Sequence, residues 1–194
     1  MITVVLRLAG KAGIRVSLPE EAHGLCCSQI WEHKGNPAGQ RLTANRTIES
    51  FYKWSGGGRI PVFCDTGGDI LTPENREKYK QLKIMDITQW LKEVVLPRIK
   101  VIRPKNRILL HPTCSCQIMG LTPVLLDIAR KCAREVILPD NWGCCGASGD
   151  RGFIFPELSD SATRDERDEI GHESFDGCYS LARTCEIAMQ DHIE

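Results

Sequence analysis

The sequence predicts an α/β fold made of two pseudo-repeated lobes, each a small, mostly parallel sheet flanked by helices. Short apolar runs alternate along the chain with segments of helical composition, an order typical of α/β proteins. One stretch of the first half recurs in the second, which indicates a duplicated unit. Each half also carries a pair of adjacent cysteines, Cys26-Cys27 and Cys144-Cys145, and we expect the Cys motifs at the C-terminal ends of strands.

Four short β-branched and apolar runs predict buried strands, because parallel strands covered on both faces are apolar throughout. These runs are residues 15–18, 60–63, 107–110 and 135–138. Between them, the helix-compatible spacing of apolar residues predicts helices. The predicted helices are residues 38–54, 86–96, 119–132 and 159–170, the last with Ser159 or Asp160 as its N-cap.

The internal repeat is clearest where residues 11–20 (KAGIRVSLPE) align with residues 131–140 (KCAREVILPD). The lysine, the valine, the leucine, the proline and the acidic residue after the proline coincide. A proline-containing segment, residues 100–106, has the composition of a link. We therefore place the first lobe at residues 1–103 and the second at residues 104–194.

Cysteines upstream of the adjacent pair occur only in the second half, where Cys114 and Cys116 lie in HPTCSC. In the first half, the position that corresponds to Cys114 falls before Met1. We therefore expect the chain to begin inside its first repeat, either as a domain cut from a longer polypeptide, which we favour, or as a gene product that has lost its opening strand. A half that lacks one ligand should hold metal less well than a half that has all of them.

Charge and composition argue against several classes of protein. Lys+Arg and Asp+Glu each total 25, and this balance gives little support to nucleic acid or an anionic membrane as partner. No apolar run approaches the roughly 20 residues of a membrane-spanning helix, and the first apolar block is too short for a secretory signal. We expect no nucleic-acid partner, no transmembrane segment and a cytoplasmic location, either free or peripheral to the inner face of the cell membrane.

Ten cysteines in a chain without an export signal indicate metal ligands rather than disulfides. In the second half the candidate ligands are Cys114 after a strand, the pair on a glycine-rich loop, and Cys185 near a helix start. Four thiolates fit a zinc ion or an iron-sulfur cluster. Because adjacent side chains diverge and reach different metal atoms, the spacing favours an iron-sulfur cluster, with zinc as the alternative.

The loop GCCGASGDRG surrounds the second pair with Gly143, Gly146 and Gly149. Residues without a side chain let backbone N–H groups approach cluster sulfurs, and such donors offset the negative charge of a four-thiolate cluster. We therefore interpret these three glycines as cofactor-binding. The alternative is a flexible turn.

The first-half cysteines, Cys26, Cys27 and Cys64, repeat the pattern without the upstream ligand. They are candidate metal ligands, and the alternative is that they are small buried hydrophobic residues. His111 can bind metal or orient a sulfur, although a hydrogen-bonded structural histidine is the favoured interpretation. We expect ordinary buried residues at the other cysteines, Cys116, Cys132 and Cys178, with a metal-ligand role as the alternative for Cys116.

Five motifs resemble the cysteine-rich Cys-Cys-Gly (CCG) domain of iron-sulfur oxidoreductases: GLCCSQ, FCDT, HPTCSC, GCCGASGDRGFIFPELSDSAT and RTCEIA. That domain occurs in heterodisulfide reductase and in the iron-sulfur component of glycolate oxidase. The chain is most similar to the C-terminal part of FAD and iron-sulfur proteins of the D-lactate and D-2-hydroxyglutarate dehydrogenase type. The resemblance covers most of the chain and is most specific from His111 to Cys185.

By position, the resemblance implies that metal is bound in the second motif by Cys114, Cys144, Cys145 and Cys185, and in the first by Cys26, Cys27 and Cys64. The chain departs from the family pattern at two positions of the first lobe, Ser28 and Gly67. At the first of these the family usually has Gly, and at the second it often has a further Cys.

The resemblance implies a 4Fe-4S electron-transfer domain of an FAD-linked oxidoreductase that acts on a D-2-hydroxyacid of the D-lactate, glycolate or D-2-hydroxyglutarate class. Its partners would be the FAD and ferredoxin-like domains of the parent enzyme or complex, with FAD only in the full-length enzyme. No FAD-binding segment is evident, so we do not expect the chain to turn over substrate by itself. Two other functions stay open: a zinc-stabilised or metal-free docking module of such a complex, and thiol-disulfide catalysis by Cys144 and Cys145.

Overall fold

The computed structural model describes residues 2–64 and 70–190, and it has the predicted α/β architecture with two small parallel sheets flanked by helices. The chain divides into two compact units, Met1–Lys100 and Val101–Glu194, and the division falls inside the segment predicted to link the lobes. Gly67, one of the two departures from the family pattern, lies outside the described residues. Within the part of the chain that is described, no helix combines the length and apolar composition required to cross a membrane.

The first unit alternates helices with two short strands. Its elements are α1 (Ile2–Lys11), a 3-10 turn (Glu20–Gly24), α2 (Gln29–His33), α3 (Pro37–Trp54), β1 (Val62–Cys64), α4 (Pro73–Lys78), β2 (Ile84–Asp86) and α5 (Ile87–Trp90), which continues as a π turn (Leu91–Val95) and a 3-10 turn (Leu96–Arg98). The strands β1 and β2 pair in parallel, with Val62 opposite Ile84.

Local signals explain the helices of the first unit. The side chain of Asn36 accepts the Gly39 N–H at 2.8 Å, so Asn36 caps α3 one residue before Pro37. Asp86 caps α5 through a capping box with Gln89. These caps agree with the predicted starts of both helices.

The core of the first unit joins the helices to the sheet. Trp90 is buried and stacks on Phe63 of β1, with ring centroids 4.3 Å apart. Ala9 and Ala12 of the α1 region and Val95 complete the buried cluster. The small alanines let α1 lie close to the aromatic pair.

The prediction of a strand at residues 15–18 is wrong, because residues 14–19 form neither helix nor strand and pair with no strand among the described residues. Ile14 and Val16 nevertheless pack on the core of the first unit. In the second unit the matching residues pair with a central strand, described next. No described segment of the first unit takes that central place, so the hydrogen bonds that define a strand are not made.

The second unit is built around one central strand. Its elements are β3 (Lys105–Leu110), α6 (Cys114–Ile118), α7 (Thr122–Cys132), β4 (Ala133–Ile137), α8 (Arg151–Ile154), α9 (Pro156–Ala162), α10 (Arg164–Ile170), β5 (Cys178–Tyr179) and α11 (Arg183–Gln190). The strand order is β4-β3-β5 and all pairs are parallel. Leu109 of β3 lies opposite both Ile137 and Cys178.

Both faces of β3 are covered, as its continuous apolar run predicts. Ile108 and Leu110 point to one face and pack with Leu125 and Ala129 of α7. Leu109 points to the other face, where it packs with residues of three different elements, Ile170, Cys178 and Met189. This strand therefore carries two cores and fixes the position of the residues that follow it.

Two helix predictions in the second unit need correction. The helix predicted at residues 119–132 begins only at Thr122, because Gly120 has a left-handed φ of 68° and ends α6. The helix predicted at residues 159–170 is divided at Thr163 into α9 and α10. Ser159 and Asp160 are therefore wrong as N-caps, since both lie inside α9, which begins at a proline.

Candidate metal centre

Three buried side chains converge in the second unit: His111 after β3, Cys145 in the loop after β4, and Cys185 in α11. One ring nitrogen and the two sulfur atoms all lie within 4.8 Å of one another. Imidazole and thiolate are the donors that zinc and iron prefer in proteins. This group can therefore hold a metal ion.

The sheet and the helices place these residues directly. The backbone N–H of His111 donates to the Tyr179 carbonyl at 2.9 Å, which continues the β3–β5 pairing past the end of β3. Thr113 then caps α6 by accepting the Cys116 N–H at 3.1 Å. Cys114, predicted at a strand end, is consequently the first residue of α6. Cys185 lies near the start of α11, as predicted.

His111 is held by a buried carboxylate. Its Nδ1 lies 2.8 Å and 3.0 Å from the two carboxylate oxygens of Glu166, and both side chains are almost fully buried. Its Nε2 is buried and makes no hydrogen bond within the described residues. A buried polar atom without a partner is costly, whereas a histidine oriented by a carboxylate is the usual arrangement of a metal ligand.

The charges around His111 favour its protonated form in the metal-free site. Burial alone lowers the pKa of His111, but the interactions of the ring with Cys145 and with the Glu166 carboxylate outweigh burial and raise the pKa to about 9. Metal binding at Nε2 would replace this proton by another cation. Cys145 and Glu166 can therefore stabilise either a proton or a metal ion on His111.

Cys145 and Cys185 form a close pair, with their Sγ atoms 2.8 Å apart. The hydrogen bond from Cys185 lowers the pKa of Cys145 to about 4, against the opposing effect of burial, and His111 adds to the shift. The same contact, together with burial, raises the pKa of Cys185 above its usual range. The metal-free pair is thus a thiolate at Cys145 beside a thiol at Cys185.

The distance between the Cys145 and Cys185 sulfurs is compatible with two changes, the binding of one metal ion and the formation of a disulfide. Two thiolates bound to one tetrahedral zinc at about 2.3 Å lie about 3.8 Å apart, so the pair would open by about 1 Å to share an ion. A disulfide needs the sulfurs to close to about 2.05 Å. Small side-chain rotations would bring the two sulfurs from the observed distance to either the zinc-bound distance or the disulfide distance.

The other two predicted ligands of the second motif, Cys114 and Cys144, are exposed and do not belong to the three-residue group. They are nevertheless close to it. Burial raises the pKa of Cys114, and the charges of Cys144 and Cys145 raise it further. The pKa of Cys185 is likewise raised in part by Cys114 and Cys144. All four sulfurs therefore interact electrostatically around one loop.

In the glycine-rich loop, backbone geometry requires a glycine at position 146 above all others. Gly146 has a left-handed φ of 73°, and a Cβ there would lie 2.5 Å from the Leu158 carbonyl oxygen. Its N–H donates to Cys144 Sγ at 3.4 Å. Gly149 also has a positive φ of 78°, whereas a Cβ at Gly143 would meet nothing within 4 Å. Gly146 thus combines a packing role with donation to a candidate ligand.

The first-unit cysteines are not brought into a comparable group. Cys26, Cys27 and Cys64 line an apolar cavity of about 730 Å³ in the first unit. Among the described residues, the cluster of three ligand atoms within bonding reach of one ion is found in the second unit. The cysteines expected to be ordinary buried residues lie apart from that cluster: Cys116 and Cys178 are buried, and Cys132 is half-buried.

Glu166 was not predicted from the sequence as part of the site. Thr163, Glu166 and Ile170 are buried at helical spacing on one face of the α10 region. An acidic residue on the apolar face of a helix was the available signal, because such a residue needs a buried partner. That partner is His111, which is both hydrogen-bonded as expected and directed at the two sulfurs.

No protein-family model matches the chain, and no curated protein matches it either.

Proposed function

We propose that the second unit is the metal-binding, electron-transfer part of an FAD-linked oxidoreductase, with a 4Fe-4S cluster bound by Cys114, Cys144, Cys145 and Cys185. The observation that supports the proposal is the burial of Cys145 and Cys185 against His111, with Cys114 and Cys144 near enough to raise the pKa of Cys185. The sulfurs of Cys145 and Cys185, from two separate segments, thereby meet at one place. In the metal-free site Cys145 is a thiolate, which is the form in which a cysteine binds metal.

The adjacent cysteines Cys144 and Cys145 favour an iron-sulfur cluster rather than a single zinc ion. Cys144 is exposed and Cys145 is buried, so the two side chains leave the loop in different directions. Diverging thiolates suit different metal atoms of one cluster, whereas structural zinc sites draw paired sulfurs from Cys-x2-4-Cys turns. A bound cluster would supply one-electron transfer.

The residues around the sulfurs support a negatively charged centre. His111 is positively charged below about pH 9 and lies beside Cys145. The Gly146 N–H donates to Cys144 Sγ, which moderates the charge on that sulfur. Both features stabilise thiolates that would otherwise repel one another.

The rest of the proposed enzyme follows from the motif resemblance alone. On this proposal, a D-2-hydroxyacid of the D-lactate, glycolate or D-2-hydroxyglutarate class is oxidised at FAD on a separate domain. Electrons then reach the second unit, with a ferredoxin-like domain as a further partner in the complex. We place the protein in the cytoplasm, free or at the inner face of the membrane.

The test is metal and sulfide analysis after anaerobic purification. We expect about four iron and about four acid-labile sulfide per chain, with the broad visible absorption of iron-sulfur centres. Cys145→Ser and Cys185→Ser should lose the absorption, while Cys132→Ser, a half-buried cysteine outside the group, should retain it. Stoichiometric zinc without sulfide would reject the cluster and support a zinc-stabilised docking module.

A second candidate function, thiol-disulfide exchange, is favoured by the Cys145–Cys185 contact at 2.8 Å. The pair differs from the one expected from sequence, because Cys145 meets Cys185 rather than acting with Cys144. A thiolate beside a protonated thiol is the arrangement of a reducing dithiol. Mass spectrometry after mild oxidation checks this function: a Cys145–Cys185 disulfide that re-reduces with dithiothreitol supports it, and retention of both thiols excludes it.

A further inference from the structure

The first unit contains an apolar cavity of about 730 Å³, a volume in the range of small-molecule sites. Its wall comes from α1, residues 14–19, α3, β1 and α5. Most of the lining side chains are aliphatic, and four are aromatic, namely Phe51, Trp54, Phe63 and Trp90. Such a wall favours an apolar ligand, because apolar surface gains free energy when it leaves water.

Several apolar residues of this wall are also exposed to solvent. They are Ile2 and Leu6 of α1, together with Leu18 and Ile60. Exposed apolar side chains gathered at one place mark an interaction site more often than a solvated surface. The apolar character of the cavity therefore continues to the surface of the unit.

The wall carries one permanent charge, which is positive. Among the described residues that line the cavity, Arg15 alone is a lysine or arginine, and none is an aspartate or glutamate. The Arg15 side chain is exposed and makes no hydrogen bond or ion pair with the rest of the described chain. A guanidinium binds a carboxylate through two parallel hydrogen bonds. The charge of the wall is therefore complementary to an apolar ligand with one negative group.

The buried hydroxyl groups of the wall are already hydrogen-bonded within the first unit. Thr47 donates to the Cys26 carbonyl at 2.9 Å, and Ser55 donates to the Tyr52 carbonyl at 3.0 Å. These hydroxyls need no partner from a ligand. A small molecule rich in hydroxyl groups would lose its hydrogen bonds to water in this cavity, so a short hydroxyacid does not fit it.

We propose that the first unit binds an apolar monocarboxylate in this cavity, a molecule with an aliphatic chain and one carboxylate. The chain lies against the apolar wall, and the carboxylate accepts hydrogen bonds from the Arg15 guanidinium. An aliphatic chain suits the wall better than a flat ring, because Phe63 and Trp90 already stack on each other with their centroids 4.3 Å apart. The proposal concerns the first unit and does not depend on the metal centre of the second.

The experiment titrates the full chain with decanoate, below the concentration at which decanoate forms micelles. We expect a saturable change in tryptophan fluorescence, because Trp54 and Trp90 line the cavity. Decyltrimethylammonium carries a positive charge on a similar chain and should bind at least about fivefold more weakly. Acetate should not bind, because it has no chain to bury in the cavity.

Two arginines of the first unit provide a matched pair of variants that tests the carboxylate contact. Arg15 and Arg7 are both exposed, but only Arg15 lines the cavity. Arg15→Met should weaken decanoate binding about fivefold and leave the binding of decanol, which has no charge, unchanged. Arg7→Met should change neither affinity.

A second matched pair on α1 tests where the chain of the ligand lies. Ile2 and Val4 are 56% and 57% exposed, but only Ile2 lines the cavity. Ile2→Asp should weaken decanoate binding by at least about tenfold, because its carboxylate would oppose both the apolar chain and the negative charge of the ligand. Val4→Asp should leave binding unchanged. Both side chains are exposed, so neither variant should unfold the unit, and circular dichroism checks this.

Four results would overturn the proposal. The first is no saturable fluorescence change with decanoate. The second is equal affinity for decanoate and decyltrimethylammonium, or unchanged decanoate binding in Arg15→Met, since the positive charge would then have no part in binding. The third is equal loss of binding in Ile2→Asp and Val4→Asp, which would place the ligand outside the cavity. The fourth is a dimer in analytical ultracentrifugation that Ile2→Asp dissociates and decanoate does not, because a second copy would then cover the apolar surface. None of these results bears on the iron and sulfide content of the second unit.

Discussion

Ser28 and Gly146 adopt the same left-handed backbone conformation, with φ of 71° and 73°, immediately after the two Cys-Cys pairs. In each case the backbone N–H donates to the first sulfur of the pair at 3.4 Å, to Cys26 in the first unit and to Cys144 in the second. The two loops differ in sequence but share this turn. The turn is thus common to both units, whereas the buried cluster of ligands is found among the described residues of the second.

Replacing Gly146 by Ala should destabilise the second unit. The left-handed conformation costs a residue with a Cβ about 1–2 kcal/mol. The added Cβ would also lie 2.5 Å from the Leu158 carbonyl oxygen, so α9 must move. We expect a fall in the free energy of unfolding of more than about 2 kcal/mol, measured by urea denaturation.

Ser28→Gly is the matched change in the first unit. It removes the strain of a left-handed serine but also the 2.5 Å hydrogen bond from Ser28 Oγ to the Cys27 carbonyl. These effects oppose each other, so we expect a change in the free energy of unfolding within about 1 kcal/mol. A Gly146→Ala protein as stable as the Ser28→Gly protein would show that the close approach to Leu158 is not maintained in solution.

Glu166→Gln should weaken metal binding at His111. The carboxylate fixes the imidazole through Nδ1, and the amide keeps the shape but loses the negative charge. Loss of such an outer partner typically lowers metal affinity about 10–100-fold. Titration of the reduced, metal-free protein with Co²⁺, followed by its visible absorption, measures the effect.

The control for this prediction is Glu157→Gln, which changes an exposed carboxylate on the neighbouring helix α9. It should leave the Co²⁺ affinity unchanged. If both variants bind Co²⁺ like the unmodified chain, His111 is not a ligand and its contact with Glu166 is purely structural.

The loop before the second Cys pair should respond to acid through Glu169. Its carboxylate accepts the backbone N–H groups of Asn141 at 2.8 Å and Asp140 at 2.7 Å, and these hydrogen bonds lower the pKa of Glu169 below its usual value. The stabilising contribution is therefore complete above the usual pKa of the unfolded chain. It is lost as the pH falls through the lower pKa of the folded chain.

Hydrogen exchange of the Asp140 and Asn141 amides measures this effect. Corrected for the intrinsic pH dependence of exchange, their protection should fall as Glu169 is protonated. In Glu169→Gln the protection should no longer depend on pH in that range. Unchanged protection of both amides in acid would contradict the assignment of Glu169 as the residue that holds this loop.

Leu109→Ala tests the importance of the central strand. Leu109 is fully buried in the middle of β3 and packs against three other elements. A cavity at such a site costs about 2–5 kcal/mol of unfolding free energy. Ile102→Ala removes an 84% exposed side chain of the same unit and should change the stability by less than about 0.5 kcal/mol. Equal denaturation midpoints for the two variants would contradict the placement of β3 at the centre of the core.

The sequence was most informative where structure is decided locally. Helix α3 was predicted within one residue from the spacing of its apolar residues, and Asn36 and Pro37 fix its start locally with a cap and a first turn. The strands β3 and β4 followed from short apolar runs. The late start of α7 was also locally encoded, by Gly120, and the prediction did not use that signal.

Structure that depends on distant partners could not be predicted in this way. Residues 15–18 have the composition of a strand, but a strand exists only where a neighbour pairs with it. The Cys pair posed the same difficulty: the sequence indicated that Cys144 and Cys145 diverge, but not which of the two is buried. The partnership of Cys145 with Cys185 and of Glu166 with His111 depends on how β5, α10 and α11 pack.

The distance along the chain between Cys145 and Cys185 has a consequence for biosynthesis. The two sulfurs are separated by 40 residues, so a ribosome adding about 5–20 residues per second makes the first about 2–8 s before the second. During that interval Cys145 has no sulfur neighbour of this kind and is open to oxidants and to competing ions. Binding of a metal ion by both sulfurs has to wait until Cys185 has been made, and its yield should depend on how well the cell protects the Cys145 thiol until then.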